Sequence, residues 1–60
     1  MKEKVYTWQH VEAYSIIAIY NLLNSANDIN PKNMKICIDP LYSLYKKDKA
    51  VKYANRLIKN

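Results

Sequence analysis

Apolar residues recur at helical spacing in the first half of the chain. Over the segment TWQHVEAYSIIAIYNLLNSAN, most apolar side chains fall within one broad arc when drawn at about 100° per residue. Thr7 precedes this run, and its hydroxyl can accept a hydrogen bond from a free amide of the first turn. The stretch from Asn24 to Asn27 favours termination. The pattern therefore predicts a helix that begins after Thr7 and ends within that stretch.

This predicted helix is apolar on more than one side. The broad apolar arc consists of Trp8, Val11, Ile16, Ala18, Ile19, Leu22, Leu23 and Ala26. Further apolar residues flank that arc: Ala13, Tyr14, Ile17 and Tyr20. A helix that is apolar round most of its circumference needs cover on several sides. We therefore predict a protein interface that includes Trp8, Tyr14, Ile17 and Tyr20, with Trp8 in the core or between subunits rather than exposed.

Two proline junctions interrupt the following segment. Asn30-Pro31 and Asp39-Pro40 each place a capping residue before a proline that suits the first helical position, so each predicts a helix start. Between them, residues 34–38 alternate as in a strand but also recur as on a helix. Helix is the favoured interpretation, and a strand remains the alternative.

The apolar positions change direction after Asp39. They predict one short helix near 40–46 and another near 49–59 that Asp48 caps. The residues expected to hold these two helices against the first are Leu41, Leu44, Ala50, Val51, Ala54, Leu57 and Ile58. Because the chain contains no glycine, left-handed backbone positions should fall to asparagine.

These elements predict an all-α fold, in which one long N-terminal helix packs against two or three short helices as a small helical bundle. A chain of 60 residues forms one domain, residues 1–60, and a domain of this size hides only about 60% of its unfolded surface. Its one cysteine and one histidine exclude an intramolecular disulfide and a Cys₄ or Cys₂His₂ zinc site within one chain. Extra stability is therefore expected from a protein partner or a homo-oligomer.

Positive charge is concentrated in the second half. Residues 31–60 hold seven lysines and one arginine against two aspartates, whereas residues 1–30 hold two lysines against three acidic residues. Such a concentration of positive charge attracts phosphate or an acidic protein surface. Tyr42 and Tyr45 lie beside Lys46 and Lys47, and they could stack on bases or pack inward as core. The predicted nucleic-acid contacts are Lys46, Lys47, Lys49, Lys52, Arg56 and Lys59, and the alternative is that they form a solvated face.

Catalytic patterns are absent or incomplete. His10 and Glu12 have the H-x-E spacing of zinc deaminases, but the P-C-x-x-C segment that completes that metal site is missing. Cys37, His10 and Asp39 supply the residue types of a nucleophilic set, yet Cys37 lies between two isoleucines and is expected in the core. We therefore predict no enzyme, no cofactor and no metal.

The longest apolar run, five residues from Ile16 to Tyr20, is far below the roughly 20 residues that span a bilayer. A cytoplasmic protein without a membrane segment is expected. The favoured function is a small regulator or inhibitor, from a phage or mobile element, that binds another protein through an apolar helical interface. The alternative is a DNA- or RNA-binding regulator that uses the basic C-terminal half.

Overall fold

The computed structural model describes residues 6–59, which form three α-helices: α1 (Trp8–Asn24), α2 (Pro31–Leu44) and α3 (Lys47–Lys59). The all-α prediction is confirmed, and residues 34–38 are helical. The helices contain 17, 14 and 13 residues. Because these lengths are similar, the predicted contrast between one long helix and several short ones is not seen.

Helix α1 begins at the predicted residue and is closed by a reciprocal cap. The Thr7 hydroxyl accepts from the amide of His10 at 3.4 Å, and Nδ1 of His10 accepts from the amide of Thr7 at 3.1 Å. This capping box satisfies two backbone donors that the first turn would otherwise leave free.

The end of α1 lies in the predicted stretch, but the left-handed residue there is an alanine. Ala26 has φ of 59°, the only positive φ among the described residues. The Asn27 amide donates to the Leu22 carbonyl at 3.0 Å and the Ala26 amide donates to the Leu23 carbonyl at 3.2 Å, which is the Schellman pattern. The prediction that asparagine takes such positions is therefore wrong at this turn, because two satisfied carbonyls offset the strain at the Ala26 Cβ.

Of the two proline junctions predicted to start a helix, the first starts α2 and the second does not start a helix. Asn30 is the N-cap and its side chain accepts from the Asn33 amide at 2.8 Å, with Pro31 first in the helix. Pro40, in contrast, lies inside α2 and starts no helix. Proline cannot donate to the carbonyl four residues earlier, at Ile36. Both residues are exposed, so water can satisfy that carbonyl and the helix continues to Leu44.

The predicted helix at 40–46 is therefore the C-terminal part of α2. Asp39, the predicted cap, is a helical residue that pairs with Lys35 at 3.0 Å. Asp48 likewise does not cap α3, because the helix begins at Lys47 and Asp48 lies in its first turn. There its negative charge is favourable beside the positive end of the helix dipole.

Helix α1 lies between the other two, since it packs against both α2 and α3 while α2 and α3 contact each other much less. Eight described residues form the buried core: Ala13, Tyr14, Ile17, Ala18, Leu22, Leu41, Ala50 and Ala54. Half of them are alanines, and the largest side chains, with 1% exposure each, are those of Tyr14 and Ile17. The core is therefore small.

The buried side of α1 coincides only in part with its broad apolar arc, of which Ala18 and Leu22 are buried. Tyr14 and Ile17, which lie on the flanks of that arc, are each 1% exposed, whereas Trp8 and Leu23 from the arc itself are 79% and 63% exposed. The predicted core role of Trp8 is wrong for the chain taken alone. With apolar residues nearly all round, α1 places its small Ala13 and Ala18 against the neighbouring helices, because small side chains allow close approach.

The predicted core contribution of the C-terminal half is partly correct. Leu41, Ala50 and Ala54 are buried, and Val51 and Leu57 are half-buried against the core. Leu44 and Ile58 are instead 71% and 63% exposed. Both lie in the last turn of their helices, so the expectation that they hold α2 and α3 against α1 is wrong.

Candidate interaction surfaces

The side of α1 that points away from the core carries large apolar side chains. Drawn at about 100° per residue, these side chains fall within one third of the circumference of α1. This outward face consists of Trp8, Ile19, Tyr20 and Leu23. Ile16 falls in the same arc but packs against the core, where it meets α3. Trp8 and Leu23 are largely exposed, Tyr20 is 41% exposed, and Ile16 and Ile19 are half-buried. Glu12 is the one charged residue in that arc.

The four residues predicted to form a protein interface divide into two pairs. Trp8 and Tyr20 lie on the outward face. Tyr14 and Ile17 lie in the core that the chain forms by itself. An interface on this fold can therefore use the first pair but not the second.

A cluster of tyrosine rings fixes the start of α1 against the α2–α3 junction. The Tyr14 ring centroid lies 6.0 Å from that of Tyr6 and 4.5 Å from that of Tyr42. The Tyr14 hydroxyl donates to the backbone carbonyl of Tyr45 at 2.7 Å. Lys47 places its Nζ 4.6 Å from the centroid of the Tyr6 ring, in cation–π geometry. Tyr42 thus belongs to this cluster and not to the basic face of α3.

The surroundings of Tyr14 disfavour its ionised form. Burial raises the pKa of the Tyr14 hydroxyl above its usual value, and negative charge on Tyr6 or Tyr42 would raise it further. The neutral hydroxyl keeps its proton and donates it to the Tyr45 carbonyl. Tyr14 therefore holds the end of α2 in place.

Four cations lie side by side along α3, and we call them the basic ridge: Lys49, Lys52, Arg56 and Lys59. All four are exposed. Among residues 6–59 the ion pair found is Lys35 with Asp39 on α2, and no carboxylate of these residues lies within 4.0 Å of a ridge cation. The predicted exposure of this face is confirmed.

Two tyrosines border the basic ridge on its α2 side. The rings of Tyr45 and Tyr53 are stacked, with centroids 5.6 Å apart and an angle of 26° between their planes. They line an open pocket of about 410 Å³ together with Lys49, Lys52 and Arg56. A second pocket continues along the ridge and is lined by Lys52, Asn55, Arg56 and Lys59.

The tyrosine that accompanies the cations differs from the predicted one. The sequence pairs Tyr42 with Tyr45, but the structure stacks Tyr45 on Tyr53. Tyr53 follows Lys49 by one helical turn, so its place beside the cations could be predicted from the sequence. Its contact with Tyr45 depends on the angle between α2 and α3, which the sequence pattern does not give. Lys46 and Lys47 line a different open pocket of about 390 Å³, which they share with Tyr45 and the tyrosine cluster.

The residues considered for catalysis serve local structure. Nδ1 of His10 is occupied in the cap of α1, and Asp39 is paired with Lys35. Cys37 is half-buried against the core. Among the described residues, no three His, Cys, Asp or Glu side chains are grouped so that they could hold a metal ion.

Across residues 6–59, none of the three helices has the length and apolar character to cross a membrane. Comparison with known proteins finds no protein-family model, no curated protein and no solved structure that matches the chain.

Proposed function

We propose that this chain is a non-enzymatic protein-interaction module that binds through the outward face of α1, and that the partner which fits this face is a second copy of the chain. The observation that carries the proposal is the exposure of Trp8 and Leu23, 79% and 63%, on the side of α1 opposite its core. Large apolar residues clustered on one surface are typical of interaction sites, and tryptophan is enriched among the residues that dominate binding energy.

The small core supports association. Alanine side chains bury little area, so the four buried alanines contribute less hydrophobic stabilisation than four leucines would. Domains below about 70 to 80 residues usually need a further source of stability. Covering the outward face would bury the indole of Trp8 and the side chains of Ile19 and Leu23, and would add the large apolar area that the core lacks.

The distribution of charge favours a second copy as the partner. Two copies of a chain with net charge +5 repel each other, and the repulsion is weakest when they meet away from their cations. The basic ridge lies on α3, and the arc of the outward face contains only Glu12 as a charged residue. Association through α1 therefore joins the two molecules by a surface that carries little charge.

A two-fold axis gives this contact a specific register. In an isologous dimer, if residue i of one copy contacts residue j of the second copy, then residue j of the first copy also contacts residue i of the second. An antiparallel pair of α1 helices centred between Ser15 and Ile16 places Trp8 against Leu23 of the second copy, and Glu12 beside Ile19 of the second copy. The shared face is about 22 Å long at about 1.5 Å per residue, which corresponds to about four turns of each helix.

The test compares two leucines that lie on different surfaces of the protein but at equivalent positions within their helices. Leu23 and Leu44 both lie in the last turn of a helix, and both are strongly exposed. An aspartate near a helix C-terminus has the same small unfavourable dipole effect in each case. Sedimentation velocity at micromolar concentration should show dimers for the wild type and for Leu44→Asp, and monomers for Leu23→Asp.

Circular dichroism should show unchanged helix content in both variants. A dimer that persists in Leu23→Asp would place the contact elsewhere and overturn the proposal. A wild type that stays monomeric throughout the micromolar range would show that a second copy does not cover this face.

A further inference from the structure

We infer that the basic ridge and the stacked tyrosines beside it form a binding site for single-stranded nucleic acid, with Tyr45 and Tyr53 as the base-stacking platform and Lys49, Lys52 and Arg56 as the phosphate contacts. This site lies on α2 and α3, away from the outward face of α1. It adds a second binding activity to the proposed protein contact and does not depend on it.

The aromatic part of the site has the geometry that stacking requires. Tyr45 and Tyr53 are both half-buried, so each ring keeps surface open to solvent. Their planes are only 26° from parallel at a centroid separation of 5.6 Å. A base stacked on the open side of either ring would extend this pair, and aromatic platforms of this kind hold bases of any sequence because every base has a π face.

The position of the platform is fixed by the core. The carbonyl of Tyr45 accepts the hydrogen bond from the buried Tyr14 hydroxyl at 2.7 Å. On α3, Tyr53 precedes the buried Ala54, which ties its part of the helix to α1. The two rings are therefore held before a ligand arrives, which reduces the entropy lost on binding.

The cations are placed for phosphates that follow the stacked bases. Lys49, Lys52 and Arg56 line the same open pocket as the two rings, and Lys59 continues the row in the neighbouring pocket. Since no carboxylate of residues 6–59 lies within 4.0 Å of them, a phosphate would not have to displace an existing ion pair. The row spans about 15 Å from Lys49 to Lys59 at about 1.5 Å per residue.

Single strands fit this surface better than a duplex. A ring can stack only on a base whose face is free, which a paired duplex does not offer outside its ends. The chain has a single arginine, and bidentate reading of guanine in the major groove relies mainly on arginine. The site is therefore expected to bind without strong sequence preference.

The experiment measures binding of a fluorescently labelled thymidine oligonucleotide of about twelve nucleotides, within the usual range of site sizes, by anisotropy across a salt series. Tyr53→Leu and Tyr45→Leu should each bind about 5- to 150-fold more weakly, the equivalent of about 1–3 kcal/mol per lost stack. Tyr53→Phe keeps the ring and should bind like the wild type. An abasic strand of the same length and charge should bind more weakly than the thymidine strand.

A charge-matched pair of variants tests the cations. Lys52→Gln with Arg56→Gln and Lys32→Gln with Lys35→Gln remove the same charge, but only the first pair lies on the ridge. The ridge variant should lower the slope of log affinity against log salt by about 1.4, the value for two phosphate contacts on a single strand. The control variant should keep the wild-type slope. The four cations changed in these variants are all exposed, so circular dichroism should show intact helices.

Four results would overturn the inference. Equal losses in the ridge and control variants would show attraction to net charge alone. Equal affinity for the abasic and thymidine strands, or unchanged binding by folded Tyr53→Leu, would exclude stacking. Tighter binding of a duplex than of the single strand would place the nucleic acid on another type of site.

Discussion

The hydrogen bond between Tyr14 and the carbonyl of Tyr45 joins the core to the α2–α3 junction, and Tyr14→Phe removes it while keeping the ring. The Tyr14 side chain is 1% exposed and the bond is 2.7 Å long. A neutral hydrogen bond contributes about 1 kcal/mol net, and an acceptor left without a partner raises the loss to as much as about 3 kcal/mol. The Tyr45 carbonyl is only partly buried in this contact, so water can replace part of the bond. We expect a loss of about 1–2 kcal/mol.

That loss is large for so small a protein. A change of 1 kcal/mol shifts Tm by about 4–8 °C in a domain of about 60 to 100 residues. Thermal unfolding followed by circular dichroism near pH 7 should therefore show a decrease in Tm of about 4–16 °C for Tyr14→Phe. The Tyr6 and Tyr42 rings keep an aromatic neighbour in the variant, so the helix content should not change.

The same variant tests the raised pKa of Tyr14. The hydroxyl of the unfolded chain ionises near its usual value of about 10, whereas the folded chain holds the proton to higher pH. Its contribution to stability is therefore complete below about pH 10 and is lost as the pH rises through the folded pKa. The stability difference between wild type and Tyr14→Phe should shrink above about pH 10. Equal Tm values near neutral pH, or a difference that stays constant in strong alkali, would refute this reasoning.

Three further predictions concern the fold. Ile17→Ala should lower the free energy of unfolding by about 2–5 kcal/mol, because Ile17 is in the chain's own core. Chemical denaturation followed by circular dichroism should show that much of the variant is already unfolded without denaturant, whereas a variant that only dissociates into folded monomers would contradict this. Ala26→Gly should stabilise the protein by up to about 1 kcal/mol in urea unfolding, because glycine accepts positive φ without the Cβ penalty; a lower midpoint would count against it. Cys37 should react slowly with thiol reagents in the native state and fast in urea, since it is half-buried against the core; equal rates would show an open site.

Local signals in the sequence predicted much of the secondary structure. The Thr7 and Asn30 caps form hydrogen bonds that depend on residues within one turn, so both helix starts could be read directly. The helix start predicted at Pro40 was wrong, because whether a proline can stay inside a helix depends on its exposure to solvent. An exposed proline can remain inside a helix when water reaches the free carbonyl of Ile36. That condition belongs to the folded surface and not to the local sequence.

The faces of α1 were harder to predict for a different reason. Its apolar residues surround the helix, so periodicity alone does not decide which side meets α2 and α3. The choice follows from packing, in which Ala13 and Ala18 allow close approach and Tyr14 finds the Tyr45 carbonyl. The same limit applies to the candidate nucleic-acid site. The ridge cations could be read from their helical spacing, but the stack of Tyr45 on Tyr53 requires the geometry of the α2–α3 junction.

The most direct test of the proposed function uses the fluorescence of Trp8, the only tryptophan of the chain. In a single molecule its side chain is 79% exposed, so a monomer should emit at long wavelength and be quenched readily by acrylamide. If a second copy covers the outward face of α1, micromolar protein should show blue-shifted emission and protection from the quencher. Dilution should then reverse both effects in the wild type and in Leu44→Asp, while Leu23→Asp should show exposed tryptophan at every concentration. Solvent-exposed emission from the wild type throughout this range would contradict the proposal.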